Sequence, residues 1–239
     1  MFGQKLSWLT ERPIAHRGFH DMNRTRFENS RSAFEAAIDA GFAIECDVHP
    51  LADGAVAVFH DETLGRLTGR AGNVRDLGAG DLPGLRLGGT ADAPVTLNDL
   101  LTLVAGRTPL VIELKGFGPR QGDLVARVAR TLEGYGGHAA IMSFDHSLVE
   151  RFRDDAPDLP CGLTAEGRDA GALANHEAVA DQVDFLSYAV EDLPNAFVED
   201  FRASGRPVIT WTVRTERQCG LTREHADQMT FEGFDPRDG

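Results

Sequence analysis

Eight short apolar runs, set along the chain at nearly constant steps, constrain the fold of this sequence more than any other feature. They are Pro13 to Ala15, Phe42 to Val48, Leu110 to Leu114, Ala139 to Phe144, Cys161 to Leu163, Phe185 to Leu186, Pro207 to Trp211 and Gln228 to Phe231. Each is short enough to be a strand buried on both faces, as a parallel sheet requires. With Ile14, Ile44, Val111, Ile141, Gly162, Phe185, Val208 and Met229 as markers, the successive separations are 30, 67, 30, 21, 23, 23 and 21 residues. Helix-like segments lie between several of the runs. Ser30 to Ala40 places Phe34, Ala37 and Ile38 on one face ahead of Gly41, and Asp123 to Leu132 stacks Leu124, Val125, Val128, Ala129 and Leu132. Eight strands in βα order predict an α/β chain closed into a TIM (β/α)8 barrel, because an open doubly wound sheet usually has fewer.

The rhythm breaks twice. The 67-residue step predicts a small insertion after the second strand, about residues 53–96, rich in Gly and carrying its own alternating strand at Val56 and Val58. The chain then runs only eight residues past Phe231, so the barrel is expected to lack a full final helix. Residues 1–12 or a partner subunit in a homo-oligomer would cover it there. A chain of 239 residues with 42% hydrophobic content can bury one sizeable core, so residues 1–239 are read as a single domain.

Charge narrows the function. Lys and Arg number 24 against 37 Asp and Glu, and the net charge of −13 repels nucleic acid. A phosphate ester would need a bound cation and a few placed Lys or Arg to offset that field. Cys46, Cys161 and Cys219 are too few and too scattered for a disulfide framework or a zinc site. Met1 to Arg12 lacks a signal-peptide apolar region, and no stretch approaches the ~20 apolar residues of a membrane span. The expectation is a cytoplasmic protein without stable membrane insertion.

In such a barrel the chemistry sits at the carboxyl ends of strands. Four runs put charge there: Ala15-His16-Arg17-Gly18, Ile44-Glu45-Cys46-Asp47-Val48, Phe59-His60-Asp61 and Val111-Ile112-Glu113-Leu114-Lys115. The strand period of two places Glu45 and Asp47 on one face, with Glu113 and Lys115 on the matching face of the next barrel strand. Three converging carboxylates repel one another and lose hydration unless a divalent ion joins them; oxygen ligands alone favour Mg²⁺ or Ca²⁺. The other use of the same charges is a set of buried salt bridges with Lys115 and Arg17. His16 and His60, each following an apolar run, suit a general acid and base, and Arg17 and Lys115 suit a phosphate clamp.

His16-Arg17-Gly18, Phe27-Glu28-Asn29-Ser30, Glu45-Cys46-Asp47-Val48, Val58-Phe59-His60-Asp61, Thr63-Leu64-Gly65-Arg66-Leu67-Thr68-Gly69 and Glu113-Leu114-Lys115 together resemble the glycerophosphodiester phosphodiesterase family. The likeness is strongest over residues 13–115 and continues through Ser143-Phe144-Asp145 and Thr210-Trp211-Thr212-Val213. It implies a TIM barrel with a small insertion after the second strand. It implies His16 and His60 as acid/base catalysts, Glu45, Asp47 and Glu113 as metal ligands, and Arg17 and Lys115 as phosphate-binding groups. Glu28 matches a position beside the metal site and joins the expected substrate-binding set with Trp211, which matches a position at the glycerol end of the pocket. The implied reaction hydrolyses a small-molecule phosphodiester, such as glycerophosphocholine or glycerophosphoethanolamine, to glycerol 3-phosphate and an alcohol. The attacking group is water or the glycerol 2-hydroxyl. The sequence departs from the family pattern at Arg214, where Asn is common, and at Thr230-Phe231-Glu232, where Thr-Asp is common. The alternatives are a phosphodiesterase acting on lysophospholipids and a barrel that binds phosphoesters without turnover.

Overall fold

The computed structural model describes residues 6–116 and 123–238. Strands β1 (Ile14–Ala15) and β2 (Ala43–Pro50) are followed by two inserted strands, β3 (Val56–Val58) and β4 (Val95–Thr96). The remaining strands are β5 (Leu110–Leu114), β6 (Ala139–Ser143), β7 (Cys161–Ala165), β8 (Phe185–Ala189), β9 (Val208–Val213) and β10 (Gln228–Phe231). Eight of them pair in parallel as β1, β2, β5, β6, β7, β8, β9 and β10, and β1 meets both β2 and β10, which closes the barrel. Every marker residue of the apolar runs falls within one of these eight strands.

The local sequence explains the outer wall. Helix α2 (Arg31–Ala40) starts where Ser30 Oγ accepts from the backbone N–H of Ala33 and stops at Gly41, whose φ of 78° suits a residue without Cβ. Helix α4 (Leu97–Val104) begins on a capping box, with Thr96 and Asp99 exchanging bonds. Helix α5 (Leu124–Leu132) turns Leu124, Val125, Val128 and Leu132 inward. A single turn α1 (Ser7–Thr10) precedes β1, the short helices α6 (His146–Val149) and α7 (Phe152–Asp155) follow β6, and helices α8 (Ala170–Val179), α9 (Ala196–Ala203) and α10 (Glu216–His225) complete the wall behind the later strands.

The long step between β2 and β5 holds the antiparallel β3 and β4, helix α3 (Gly65–Thr68) and two 3-10 turns at Val74–Asp76 and Ala79–Gly84. These elements share their own apolar cluster, including Leu51, Phe59, Leu64, Leu67, Leu82 and Leu87. Because Val48 pairs with Val58, the hairpin returns His60 to the end of the barrel that bears Asp47.

No helix follows β10 among the described residues. Residues 1–5 lie outside the described residues, and Thr10 and Arg12 touch this flank, where Gln228 Nε2 donates to the Thr10 carbonyl at 3.0 Å and Arg12 Nη1 to the Gly41 carbonyl at 3.5 Å. Phe42 and Phe231 meet edge to face with centroids 4.9 Å apart, Phe19 and Phe234 pack beside them, and the Arg237 guanidinium lies 4.8 Å over the Phe42 ring. Leu6, Trp8 and Leu9 plug the barrel floor against Ile14, Val111, Phe185 and Ile209. Among the described residues, no helix is long and apolar enough to cross a membrane.

Candidate active site

The carboxyl ends of the strands surround a cavity of about 470 Å³ whose lining includes His16, Arg17, His60, Glu113, Lys115 and Trp211. Six of the residues singled out from the sequence therefore share one space. Glu45 and Asp47 adjoin it in the protein interior, both 1% exposed. Asp47 and Glu113 are register partners on neighbouring strands, and one oxygen each from Glu45, Asp47 and Glu113 falls within 4.8 Å of the others.

Backbone geometry sets the first strand's contribution. Arg17 has a φ of 54° and Gly18 one of 78°, so the chain leaves β1 through two consecutive left-handed residues. At Gly18 a Cβ would lie 2.9 Å from the carbonyl carbon of Ala33, so only glycine lets this turn sit on α2. The turn aims the Arg17 N–H at Glu45 Oε2, at 2.8 Å. The side chain then reaches two other carboxylates: Nη1 donates to Glu28 Oε1 at 2.7 Å, and Nε lies 3.3 Å from Asp47 Oδ2.

Of the two uses of charge anticipated from the sequence, the buried salt bridges are present at the acidic cluster. Lys115 Nζ lies 2.8 Å from Asp47 Oδ1 and also bonds Glu113 Oε1. Asn29 Nδ2 donates to Asp47 Oδ2 at 2.8 Å. Burial would raise the Asp47 carboxyl, but Lys115 and Arg17 outweigh it and hold the group below the usual carboxylate range. Burial together with Asp47 raises Glu113 against the pull of Lys115. Glu45 is pushed well up, by burial first and then by the charges of Asp47 and Glu113. Its Oε1 is buried with no hydrogen-bond partner. An orphaned oxygen beside two more carboxylates fits a hard divalent cation, which would lower the cost of keeping all three ionised.

Each histidine has a carboxylate at Nδ1. His16 Nδ1 donates to Glu232 Oε2 at 2.6 Å, and His60 Nδ1 donates to Asp61 Oδ1 at 2.7 Å. Burial lowers both rings below the ordinary imidazole value, with Glu232 and Asp61 opposing. His49 Nε2 donates to the backbone carbonyl of His60 at 3.0 Å and steadies that residue. Burial lowers His49 itself to about 4.

Glu28, expected in the substrate-binding set, is not in the cavity lining and is 3% exposed. It stands behind Arg17 and also accepts from Arg66 Nη1 and Nη2, at 2.9 and 2.7 Å, and from Asn23 Nδ2 at 2.5 Å. Burial opposes ionisation there, but Arg66, Arg17 and Asn23 bring the carboxyl down to about 2. Trp211 reaches the cavity with its indole N–H donating to the Ser187 carbonyl at 3.2 Å. Its ring meets Phe144 edge to face, centroids 5.1 Å apart. Sequence reasoning missed the partners that hold these groups: Asn29, Asp61, Arg66 and Glu232. Asn29 and Asp61 stand inside the quoted motifs, and Glu232 stands at the end of the last strand, where a barrel's functional groups are sought.

A closed parallel barrel with a carboxyl-end cavity that holds two histidines beside an acidic centre places the chain among the TIM-barrel enzymes. Comparison with known proteins gives the family. The Glycerophosphoryl diester phosphodiesterase family matches residues 16–232, and the chain belongs to it. A glycerophosphodiester phosphodiesterase of Caldanaerobacter subterraneus is 27% identical over 211 residues, covering 84% of each chain. One of Bacillus altitudinis is 32% identical over 157 residues, 61% of this chain and 63% of the relative. In fold the chain is similar to an Oleispira antarctica phosphodiesterase solved with the product sn-glycerol-3-phosphate, with a TM-score of 0.81 at 20% identity over 94% of each chain. A Thermotoga maritima glycerophosphodiester phosphodiesterase superposes with a TM-score of 0.74 at 22% identity, over 91% of this chain and 92% of that one. The protein is an enzyme of this type, a hydrolase of glycerophosphodiesters.

Proposed function

We propose that the enzyme hydrolyses glycerophosphodiesters such as glycerophosphocholine and glycerophosphoethanolamine to glycerol 3-phosphate and an alcohol, using His16 and His60 as its acid/base pair. One observation carries this reading: both histidines open on the cavity that Glu113, Lys115 and Arg17 also line. The Oleispira protein, similar in fold, was solved with the same product.

In this reading Glu45, Asp47 and Glu113 hold a divalent ion, Mg²⁺ or Ca²⁺. When bound, that ion stabilises negative charge growing on the phosphoryl oxygens. The chain's own residues do the rest. Arg17 is presented by a fixed turn and tied by Glu28, so it meets the diester anion with little loss of side-chain freedom. Lys115, the residue that follows β5, adds a point charge beside Glu113. One histidine takes the proton of the attacking hydroxyl through Nε2, and the other returns a proton to the departing alkoxide oxygen. Because Asp61 accepts from His60 Nδ1, that ring turns its second nitrogen away from the carboxylate and is set for such a transfer. Trp211 and Phe144, set edge to face, offer an apolar corner to the carbon skeleton of glycerol. Three buried cysteines without disulfides fit a reducing compartment and support a cytoplasmic setting.

The test is release of glycerol 3-phosphate from the two diesters, with Mg²⁺, with Ca²⁺ and after EDTA, with His16→Ala as the blank. Release that needs both metal and His16 is the expected result. Release that survives exhaustive chelation discards the metal assignment, and release by the His16→Ala protein discards the acid/base pair.

A further inference from the structure

Arg214 and Glu232, the two departures from the family pattern, meet in space. Arg214 Nε and Nη2 both lie 2.6 Å from Glu232 Oε1, while the other oxygen, Oε2, accepts from His16 Nδ1 at 2.6 Å. His20 Nε2 lies 3.4 Å from that second oxygen. The His20 ring has its proton where this contact needs it: Nδ1 accepts from the Met22 backbone N–H at 3.1 Å, so the neutral ring carries its proton on Nε2. His16, His20 and Glu232 lie close enough together to suggest a second cation site. The tautomer of His20 argues otherwise, because it presents a hydrogen and not a lone pair. Glu232 is therefore a carboxylate held by Arg214 through one oxygen and by His16 through the other, with its side chain only 7% exposed.

A carboxylate fixed in this way determines which nitrogen of His16 carries the proton. An ionised acceptor at Nδ1 keeps the hydrogen there and leaves the lone pair on Nε2, the nitrogen lying 3.9 Å from Glu45 Oε2 on the acidic-cluster side. We propose that Glu232 is the positioning residue of His16, held by Arg214 so that the neutral ring keeps its proton on Nδ1 and offers the Nε2 lone pair to the bound diester. The inference rests on the proposed acid/base role of His16 and adds what makes that ring competent. It also gives Arg214 a purpose: its guanidinium lines the cavity but is engaged by Glu232.

Glu232→Gln separates this role from a purely structural one. Arg214 keeps the amide oxygen, so the amide N–H turns to His16, claims the Nδ1 lone pair and drives the proton to Nε2. The expected result is a fall in kcat on the order of 10²- to 10⁴-fold, with KM within about twofold and the melting temperature little changed. Glu232→Asp restores part of the loss, because it restores an ionised acceptor. In a His16→Ala background, Glu232→Gln costs nothing further, since its effect passes through the ring. The wild-type tautomer is read directly by ¹⁵N NMR of the imidazoles, with Nδ1–H expected at His16 and Nε2–H in the Glu232→Gln protein. That measurement needs no turnover, so it stands even if the hydrolysis assay fails. A wild-type His16 protonated on Nε2, an unchanged kcat in Glu232→Gln, or an additional loss in the His16→Ala background would overturn the proposal.

Discussion

Glu28→Gln isolates the ion-pair network behind the phosphate clamp. In the folded protein the Glu28 carboxyl is brought from 4.5 to about 2 by Arg66, Arg17 and Asn23, acting against its burial. At ~1.36 kcal/mol per pH unit, that displacement corresponds to about 3 kcal/mol of stability carried by the ionised form. The sign follows from the direction. A depressed folded value means that the stabilisation is fully present above the unfolded value near 4.5 and is lost as pH falls toward 2. Glutamine keeps the shape and some hydrogen bonding but loses the charge, so the variant is less stable than wild type by about 2 to 3 kcal/mol at pH 7. The difference between the two proteins shrinks across pH 4.5 to 2, where wild type becomes neutral at the same position. Urea denaturation of both proteins at pH 7, 5, 4 and 3 gives the curve, and subtraction removes the other carboxylates that titrate in the same range. A stability difference that stays constant with pH, or none at pH 7, refutes the network as the source. The same variant should raise KM for the diester, because Arg17 loses the partner that fixes it.

The remaining expectations concern chemistry and shape. His60→Ala lowers kcat on the order of 10²- to 10⁴-fold with the fold intact by circular dichroism; near-normal turnover removes it from the acid/base pair. Glu45→Gln weakens Mg²⁺ or Ca²⁺ affinity in calorimetric titration by at least about tenfold, and an unchanged affinity displaces Glu45 from the ligand set. Trp211→Ala raises KM more than it lowers kcat in the release assay, and the reverse split assigns the indole to the chemical step. Gly18→Ala is destabilised by more than about 1 kcal/mol in urea, because it needs a φ of 78° and meets Ala33 at 2.9 Å; wild-type stability there shows that the turn can move.

The barrel was readable because strands buried on both faces appear as continuous apolar runs, and the period of two told which charged residues look inward. Glu45, Asp47 and Glu113 follow from that alone, and the structure places them together. The partners were not readable for a topological reason. His16 and Glu232 stand at opposite ends of the chain and meet because closing the barrel sets β1 beside β10, with Ala15 opposite Phe231. A sequence pattern gives which face a residue occupies but not which strand lies next to it in register. Arg66 and Glu28 meet for a similar reason, through an insertion whose path depends on several turns. The cover over the missing helix was illegible because Phe19, Phe42, Phe231 and Phe234 come from separate loops and strands and show no common period.

The same contacts explain how a chain of net charge −13 builds a site for an anionic diester. Six carboxylates gather there, from Glu28, Glu45, Asp47, Asp61, Glu113 and Glu232, against the four cations Arg17, Arg66, Lys115 and Arg214. The contacts are continuous: Glu45 takes the Arg17 N–H, Arg17 bonds Glu28, Glu28 bonds Arg66, and Arg66 bonds Asp61 beside His60. With all six carboxylates ionised, the four cations leave two negative charges, and Glu45 Oε1, within the trio proposed to bind the ion, is buried without a hydrogen-bond partner. A divalent cation bound at the proposed trio would bring this assembly to neutrality, and a monoanionic diester would then meet no net repulsion from the groups that hold it. The surplus of acid is in this way compatible with phosphoester chemistry, because most of it at the site is spent on fixing the arginines, lysine and histidines in position.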